Sequence, residues 1–476
     1  MASRTQGNES AKFTTGSTMR HVVVMTMTGS IGLVAIFAVD ALNLFYISLL
    51  GQDELAAAIG YAGTLMFFAV AVAIGMTIAT GALVARALGA GNRDLAAMRG
   101  GTALIFTAAV MAVIAVLAWI FAPQLTALLG AKGETLDLAV HFLRIVIPSI
   151  PIIAVGMCAS GILRGVGDAR RAMYVTLAGG VVSAALDPLL IFGFDLGLTG
   201  AAIATVISRC VLCVIGLHGA AIVHDLVKMP NLTEFRETLR PFMQIGSPAV
   251  LTQLATPVGN AYVTAQIAEF GDGAVAGWAI VGRLIPVAFG VIFALSGAVG
   301  PILAQNYGAE LYHRLSQTMR DALLFTLAYV AVVWALLAFF ASNIADLFQA
   351  TGEARELIVF FCVIASASFL FNGALFVANA AFNNLGYALY STVFNWGRST
   401  LGVIPFVWFG AVYYGAIGVI GGWALGAVLF GIISVIVCFR VIAQIEKRDG
   451  HDLDEIPGPP PAAQSPFTTG KASTLG

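Results

Sequence analysis

Charged residues are scarce in this chain. Lys, Arg, Asp and Glu together make up 10% of its 476 residues, and 59% of the residues are apolar. A soluble globular protein carries about 25% charged residues, so the composition excludes that class. The net charge of −1 gives no basis for binding nucleic acid. With a mean hydropathy of +0.91, the sequence predicts an integral membrane protein in contact with the lipid bilayer.

Cysteine and catalytic motifs are scarce as well. The five cysteines all fall within apolar runs. Cys210 and Cys213 share a helix face without a second ligand pair, so we interpret the cysteines as packing residues and predict no metal site. No P-loop or nucleophile elbow is present, and the six histidines form no catalytic set with an acid. The sequence therefore predicts a protein that is not an enzyme.

Long apolar runs recur about every 35 residues, as expected for successive membrane helices. We predict helices near residues 22–50, 55–86, 95–122, 135–162, 169–194 and 199–223, and near 241–270, 274–305, 315–345, 354–384, 387–413 and 416–443. The predicted fold is an all-α integral membrane protein with about twelve transmembrane helices, each satisfying its own backbone hydrogen bonds. The polar residues 1–20 lack the apolar core of a signal peptide, so the first helix is expected to stay in the membrane.

The two halves of the chain repeat each other. Gly89 corresponds to Gly308 and Gly167 to Gly386, because 308 − 89 and 386 − 167 both give 219. A constant offset across six helices indicates duplication. Since each repeat has an even number of helices, both insert in the same orientation, and the repeats should enclose a central cavity.

This organisation predicts five segments and an orientation. The segments are an N-terminal cytoplasmic segment (1–20), a first six-helix lobe (21–225), a cytoplasmic linker (226–240), a second six-helix lobe (241–445) and a disordered cytoplasmic tail (446–476). The polar stretch 229–239 is expected to form a short linking helix. Lys and Arg gather in the loops on the side of both termini, so both termini should be cytoplasmic. We expect a multi-pass protein of the inner (plasma) membrane.

Two acids lie inside apolar runs of the first half. Asp40 and Asp187 each sit at membrane depth, where a carboxyl group costs about 2.5–3.5 kcal/mol and usually serves a function. Ser183 lies one turn before Asp187, and Thr205 lies at a similar depth in the next helix. These four residues are candidates for ion coupling. The structural alternatives are that a partner neutralises the acids and that the hydroxyls bond their own helix backbone.

The second half has polar groups at membrane depth but no acid there. Asn260 stands at the position of Asp40, since 40 + 220 is 260. The ion chemistry should therefore belong to the first lobe. We predict that the second lobe contributes to a substrate cavity, with Gln253, Asn260, Arg283, Asn372 and Arg398 as candidates. Each arginine could instead extend to the interface or bond helix carbonyls.

Four motifs make the chain resemble the multidrug and toxic compound extrusion (MATE) family over residues 20–445. They are Val39-Asp40, residues 83–91 (LVARALGAG), residues 163–168 (LRGVGD), and residues 186–193 (LDPLLIFG) followed by 200–205 (GAAIAT). The resemblance implies two six-helix bundles around a cavity that opens alternately to either side, and it is greatest to the DinF-type branch. That branch would place ion coupling at Asp40, Asp187, Thr205 and Phe142 or its neighbour. The chain departs from it at Ser183, where Asn is usual, and at His141 or Phe142, where Tyr is usual.

The expected function is export of small amphipathic, often cationic, organic molecules in exchange for protons. Alternatives are sodium-coupled drug antiport and flipping of lipid-linked oligosaccharides by a member of the same superfamily. A major-facilitator carrier is disfavoured, because the loop after the second helix lacks the signature of that family. We expect no cofactor other than the coupling ion, H⁺ or Na⁺, and a monomeric protein whose partners are its substrate and the bilayer.

Overall fold

The chain folds into long helices joined by short turns. The computed structural model describes residues 11–48 and 53–454, and within these ranges it contains no strand. Ten helical stretches are long and apolar enough to cross a membrane, and the last of them, Ala388–Lys447, contains two spans divided at Gly415. The helix Leu232–Ala268, which carries more polar residues, adds one more span. The total of twelve confirms the predicted fold class.

The first six spans follow the predicted helices closely. Their elements are α1 (Thr18–Ser48), α2 (Asp53–Gly89), α3 (Arg93–Ile120), α4 (Ala122–Leu128), α5 (Gly133–Val146), α6 (Ile150–Val166), α7 (Ala169–Pro188) and α8 (Gly197–Leu217). A short 3₁₀ turn containing Pro148 joins α5 to α6 as one span. Wide π turns extend α7 through Leu189–Gly193 and α8 through His218–Val223.

The second six spans repeat this order. Their elements are α9 (Leu232–Ala268), α10 (Asp272–Gly308), α11 (His313–Phe339), α12 (Ala341–Leu347), α13 (Gly352–Val363), α14 (Phe369–Leu385), α15 (Ala388–Ser399) and α16 (Ile404–Asp454). A 3₁₀ turn joins α13 to α14. Gly415, which has non-helical angles, divides α16 into the end of the eleventh span and the whole of the twelfth.

Conformational details support the duplication. The sequence did not predict the short helices α4 and α12, yet they start 219 residues apart, at Ala122 and Ala341. Gly167 and Gly386, the pair already matched in sequence, both end a helix in the left-handed region, with φ of 89° and 97°. Only glycine adopts that conformation without steric cost. The repeat therefore preserves backbone turns as well as helix order.

The linker and the tail differ from prediction. Residues 232–239 do not form a separate linking helix, because α9 begins at Leu232 and continues to Ala268. Asn231 and Glu234 form a capping box that starts this helix ahead of the membrane span. At the other end of the chain α16 reaches Asp454, inside the predicted tail. Residues 455–476 lie outside the described residues.

The two lobes pack together over only half of their depth. We call the side where α1 begins the base face and the side where it ends the open face. One hydrophobic cluster joins Phe13 and Met25 to Val299 and Ile302 of α10, and another joins Met76 of α2 to α9. Both clusters lie toward the base face.

Toward the open face the apolar clusters stay within single lobes. One cluster gathers residues of α2, α3, α5, α6 and α8 of the first lobe, and another gathers residues of α9, α10, α11, α13 and α16 of the second. Among the described residues, no apolar cluster joins the outer parts of α1 and α2 to those of α9 and α10. We call the space between them the cleft. The fold positions the candidate residues around it.

Two repeated glycines allow the close approach at the base face. A Cβ placed on Gly89 would lie 2.1 Å from the carbonyl oxygen of Gln305, and one on Gly308 would lie 2.1 Å from that of Arg86. Any larger residue would force the helices apart. The two positions match by the internal repeat, so the motif that revealed the duplication also forms the contact between the lobes.

The segment before α1 ties the same face together. Phe13, which is 1% exposed, donates its backbone N–H to Gln305 Oε1 at 2.9 Å. Gln305 Nε2 in turn donates to the carbonyl of Gly165 in the first lobe at 2.7 Å, and Lys12 Nζ donates to that of Gly167 at 2.7 Å. These bonds hold the base face closed.

Candidate functional site

Asp187 is fully buried near the outer end of α7, with 0% of its surface exposed. Ser183 Oγ donates a hydrogen bond to its Oδ2 at 3.0 Å. Its other oxygen, Oδ1, is buried and has no hydrogen-bond partner among the residues that the structure describes. A buried acceptor without a donor is costly. The carboxyl group is therefore arranged to take up a proton or a cation at Oδ1.

The acid faces α1. Thr176, Gly180, Ser183 and Asp187 follow one another at helical spacings of four, three and four, so they share one face of α7. A Cβ on Gly32 of α1 would overlap the Thr176 side chain, and a Cβ on Gly180 would lie 3.4 Å from Val39. Ser183 and Asp187 therefore continue a stripe that packs on α1.

Asp40 reaches the same level along α1. The contact of Gly32 with Thr176 gives an offset of 144, and the edge-to-face pair Tyr46–Phe192 gives an offset of 146. Adding these offsets to 40 gives 184 and 186, which lie between Ser183 and Asp187. The backbone of Asp40 is thus level with the acid of α7, while its side chain lies outside the described residues.

Thr205 lies level with Ser183 on α8. Ser208 Oγ donates to the carbonyl of Gly179 at 2.7 Å, and Gly200 packs against Leu190. Because α7 and α8 run antiparallel, the numbers of residues at the same level have a nearly constant sum, here 387 and 390. Subtracting 205 gives 182 and 185. Thr205 and Ser208 lie on one face of α8, but the Thr205 hydroxyl donates to its own helix, to Ala201 at 2.9 Å. This bond is the structural alternative anticipated for Thr205; the Ser183 hydroxyl instead bonds the acid.

Pro188 follows the acid and ends α7. Because proline has no N–H, the carbonyl of Ala184 loses its usual helical donor. The chain continues in the wide turn Leu189–Gly193. A carbonyl that loses its helical donor is available to a water molecule or a cation near Asp187.

Phe142 supplies a ring and no polar atom. It is 9% exposed and packs in the first-lobe cluster with Leu143 and Ile191. Its neighbour His141 provides the polar contact at this turn, with Nε2 2.9 Å from Thr199 Oγ1. Of the two residues anticipated here, His141 is the one whose chemistry suits an ion path.

Three of the predicted cavity residues lie on faces that border the cleft. Gln253 and Asn260 share a face of α9 with Gly246, which packs on α2 nearer the base face. Arg283 shares a face of α10 with Gly290, which packs on Val34 of α1. Asn260 and Arg283 are exposed and Gln253 is half-buried. Where the lobes diverge, these faces open to the cleft.

Asn372 and Arg398 lie inside the second lobe instead. They are 4% and 6% exposed, on α14 and α15. Arg398 Nη2 donates to Thr256 Oγ1 of α9 at 3.2 Å. The structure therefore places the five candidates in two groups, one bordering the cleft and one in the lobe interior behind it.

Sequence reasoning missed the residues that close the base face. Arg86 Nε donates to the carbonyl of Asn384 in the second lobe at 2.7 Å, and its guanidinium lies 5.4 Å from the ring centroid of Tyr307. The signal was present, because Arg86 lies three residues before the repeated Gly89. However, an offset between repeats identifies equivalent positions and does not predict that these positions contact each other.

Comparison with known proteins gives one family and a common fold. The sequence profile of the MatE family matches residues 24–189 and 248–409. The FAD transporter of Shewanella oneidensis is 29% identical over 442 residues, which cover 91% of this chain and 97% of that protein. The multidrug export protein MepA of Staphylococcus aureus is 26% identical over 416 residues, covering 86% and 89%.

Solved structures agree in fold. The Vibrio cholerae MATE transporter VcmN in the bent form superposes with a TM-score of 0.85 at 25% identity, covering 90% of this chain and 98% of that one. An outward-facing multidrug resistance MATE family transporter of the MOP superfamily gives 0.86 at 22% identity, covering 92% and 99%. The DinF-type assignment stays a prediction.

Proposed function

The chain belongs to the MatE family of membrane transporters, and on that premise we propose that it exports small amphipathic organic molecules in exchange for protons. The relatives named as transporters and export proteins support the transport class, and they are not enzymes. The proton as coupling ion and the class of substrate are our own inferences from the site.

The observation that carries the proposal is the unpartnered carboxyl oxygen of Asp187. This acid is fully buried, and its Oδ1 has no hydrogen-bond partner in the described part of the chain. The backbone of Asp40 lies at the same level on α1. Two acids close together in a poorly hydrated site share a proton more readily than they hold two charges. The pair can therefore take up a proton at the membrane depth where α1 and α7 pack.

The shape of the molecule supports an alternating mechanism. The base face is closed by contacts between the lobes, and the described apolar clusters toward the open face stay within single lobes. With the base face cytoplasmic, as the loop charges predict, this form would release substrate outward and take up a proton. Protonation removes the charge from the α1–α7 interface, and the two conformations then bind the proton with different affinity, as coupling requires.

Sodium is the alternative coupling ion. Ser183 Oγ, Asp187 and the carbonyl released by Pro188 are oxygen ligands, and Thr205 lies level with them. Sodium needs several such ligands at once, and the Thr205 hydroxyl already donates to Ala201. The proton needs only Oδ1, so it is favoured. Flipping of a lipid-linked oligosaccharide remains the second alternative, because Arg283 borders the cleft and Arg398 lies behind it.

The test separates the two ions. Purified protein in lipid vesicles should export ethidium when a pH gradient, acidic on the open-face side, is imposed without sodium. A sodium gradient alone should drive none. Export on the sodium gradient alone, and not on the pH gradient, would contradict the proton assignment.

A variant ties the activity to the acid pair. Asp40→Asn should abolish proton-driven export while the protein remains folded in the membrane. Asp137→Asn is the matched control, because Asp137 is an exposed acid of the same lobe on α5, and it should export at the unmodified rate. Normal export by Asp40→Asn would end the proposed role.

A further inference from the structure

Arg398 is a buried base for which the described residues supply no acid. Its side chain is 6% exposed, and the partner that the structure gives it is the neutral Thr256 hydroxyl. Its Nε is buried and has no hydrogen-bond partner within residues 11–48 and 53–454. The acids that form ion pairs in the described ranges are Asp168 and Asp346, on other elements. A guanidinium has five N–H donors, and burying it without an anion is costly.

The base belongs to a pair of facing polar stripes. Ser391, Asn395 and Arg398 lie at spacings of four and three on one face of α15. On α14, one face carries Asn372, Asn379 and Asn383. Ser391 Oγ donates to Asn383 Oδ1 at 3.0 Å, so the two faces meet. Their interface is polar and contains no acid.

The register of the stripes brings Asn372 to Arg398. Ser391 Oγ donates to the side chain of Asn383 and to the backbone carbonyl of Asn379. Since α14 and α15 run antiparallel, the numbers of residues at the same level have a nearly constant sum, here 774 and 770. Subtracting 398 gives 376 and 372. Arg398 is therefore level with the turn that begins at Asn372, whose amide N–H₂ is a second donor. The Oδ1 of Asn379 is buried without a partner one to two turns away.

The helix is broken beside this base. α15 ends at Ser399 and α16 begins at Ile404, and Gly402 N donates to the carbonyl of Gly397 at 2.8 Å. Ser399 Oγ is buried without a partner at the break. Non-helical backbone at membrane depth persists where it lies inside protein or lines a cavity, and broken helices mark the substrate sites of many transporters.

One side chain, that of Thr256, lies between the guanidinium of Arg398 and the cleft. Thr256, its hydroxyl partner, is exposed on α9. It lies three residues after Gln253 and four before Asn260, both on the face that borders the cleft. In the second lobe, Phe376 of α14, within the turn that is level with Arg398, lies 5.7 Å from Phe293 of α10, measured between ring centroids. A molecule in the cleft that displaces the Thr256 hydroxyl would meet the guanidinium.

We propose that Arg398, with Asn372 level with it, binds an acidic group, a carboxylate or a phosphate, on an amphipathic organic substrate. The inference rests on the proposed export function and extends its substrate class to amphipathic molecules that carry an anionic group. Arginine holds such groups through two parallel N–H···O bonds, which also fix their orientation.

Two flavins test the proposal without any variant. FAD and riboflavin share the same ring system, but only FAD carries phosphates. The purified, unmodified protein in nanodiscs should bind FAD about ten- to a hundredfold more tightly than riboflavin, the range expected for hydrogen bonds to a charged group. Binding is followed by quenching of flavin fluorescence at constant salt. Equal affinity, or failure to bind FAD, would overturn the proposal.

Variants assign the preference to Arg398. Arg398→Gln should remove most of the advantage of FAD and leave riboflavin binding unchanged. Arg398→Lys keeps the charge and loses the planar fork, so its preference for FAD over riboflavin should be intermediate. This variant replaces Arg398→Gln in the test if the Gln variant does not fold. Arg320→Gln removes an exposed base of α11 and should bind both flavins as the unmodified protein does. An equal loss of both flavins in the Arg398 variants contradicts the proposal.

The binding measurement is independent of ion coupling. It uses no ion gradient, so it can succeed when ethidium export fails, or fail when ethidium export succeeds. Failure of the substrate proposal is thereby distinguished from failure of proton antiport.

Discussion

The two lobes have one backbone plan, but among the described residues only the first lobe buries an acid. The first lobe holds Asp187 in its fifth span, and the second holds Arg398 in its eleventh, the equivalent span of the repeat. By the offset of 219, Arg398 corresponds to Gly179 and Asp187 to Phe406. Asp187 and Arg398 therefore do not occupy equivalent positions, and along the equivalent span they lie about two helical turns apart. Duplication preserved the turns, but the break between α15 and α16 has no counterpart within α7, and each lobe acquired its own polar site.

This difference suggests a division of labour. A carboxyl oxygen without a donor among the described residues suits a cation or a proton, and a guanidinium without an acid among them suits an anion. With the acid between α1 and α7 and the base behind α9, coupling ion and substrate would occupy different lobes. Each would then act on the common interface at the base face instead of competing for one site.

The largest effect expected from this comparison is on ion coupling. Asp187→Asn keeps the side chain's size but cannot carry a negative charge, so proton-driven export of ethidium should fall to the background rate. Asn260→Ala changes the residue equivalent to Asp40 in the second lobe and is exposed, so it should change the rate by less than about threefold. Vesicle transport on an imposed pH gradient measures both. An equal loss from Asn260→Ala would show that ion coupling extends to the second lobe.

The next effect concerns the interface that both lobes share. Gly308→Ala places a Cβ 2.1 Å from the backbone carbonyl oxygen of Arg86. Overpacking of this kind costs about 1–3 kcal/mol, enough to shift the population toward a form with an open base face. Spin labels at Asp94 and His313, exposed on the two lobes near this face, should move apart.

A control on the same helix isolates the clash. A Cβ on Gly282 would meet no atom within 4 Å, so Gly282→Ala should leave the label distance unchanged. If Gly308→Ala also leaves it unchanged, the glycine contact does not set the conformation.

Much of this fold follows from the sequence, and much of its assembly does not. The twelve spans and the repeat are local or periodic features, because each helix needs only a long apolar run and its own backbone. The pairing of Ser183 with Asp187 is likewise a four-residue spacing. By contrast, the bond from Gln305 to Gly165 joins residues 140 positions apart and depends on how the lobes dock. Hydropathy carries no information about that geometry.

The broken helix shows a second limit. A single apolar stretch, 387–413, predicted one continuous span, and Ser399–Ile404 interrupts it. Gly402 permits the break because a Cβ there would lie 2.7 Å from the carbonyl of Arg398. Since glycine is common in membrane helices for packing alone, its presence did not identify the break.

A smaller effect is expected at the residue that departs from the family pattern. Ser183→Asn lengthens the side chain that donates to Asp187 and adds a carbonyl oxygen. This change should strengthen sodium dependence, because sodium prefers several oxygen ligands. At fixed pH, the rate of ethidium export should depend more steeply on sodium concentration in Ser183→Asn than in the unmodified protein. An unchanged dependence would mean that Ser183 does not face the ion.

The smallest effect lies at the base face, where the repeat again differs. Asp168 begins α7 by accepting the N–H of Arg171, whereas its counterpart Tyr387, at 168 + 219, makes no side-chain cap for α15. Burial acts to raise the pKa of Asp168, but hydrogen bonds from His224 and Arg171 outweigh it and hold this pKa below its usual value. A lowered pKa means that ionised Asp168 contributes stability above the unfolded pKa of about 3.9. That contribution is lost as the pH falls through the lower, folded pKa.

Two substitutions separate the charge of Asp168 from its cap. Asp168→Asn keeps a capping oxygen and removes the charge, so near neutral pH it should lower the unfolding free energy by up to about 1 kcal/mol, since the pair is near the surface. Asp168→Ala also removes the cap and should cost about 1 kcal/mol more. Thermal unfolding in detergent between pH 7 and pH 3 measures both. The loss of unfolding free energy in Asp168→Asn should shrink toward pH 3. The additional loss in Asp168→Ala should persist, since a protonated acid still accepts the capping hydrogen bond. If the loss of unfolding free energy in Asp168→Asn stays constant with pH, the charge of Asp168 contributes nothing to stability. The two lobes would then differ at this turn only in the helix cap.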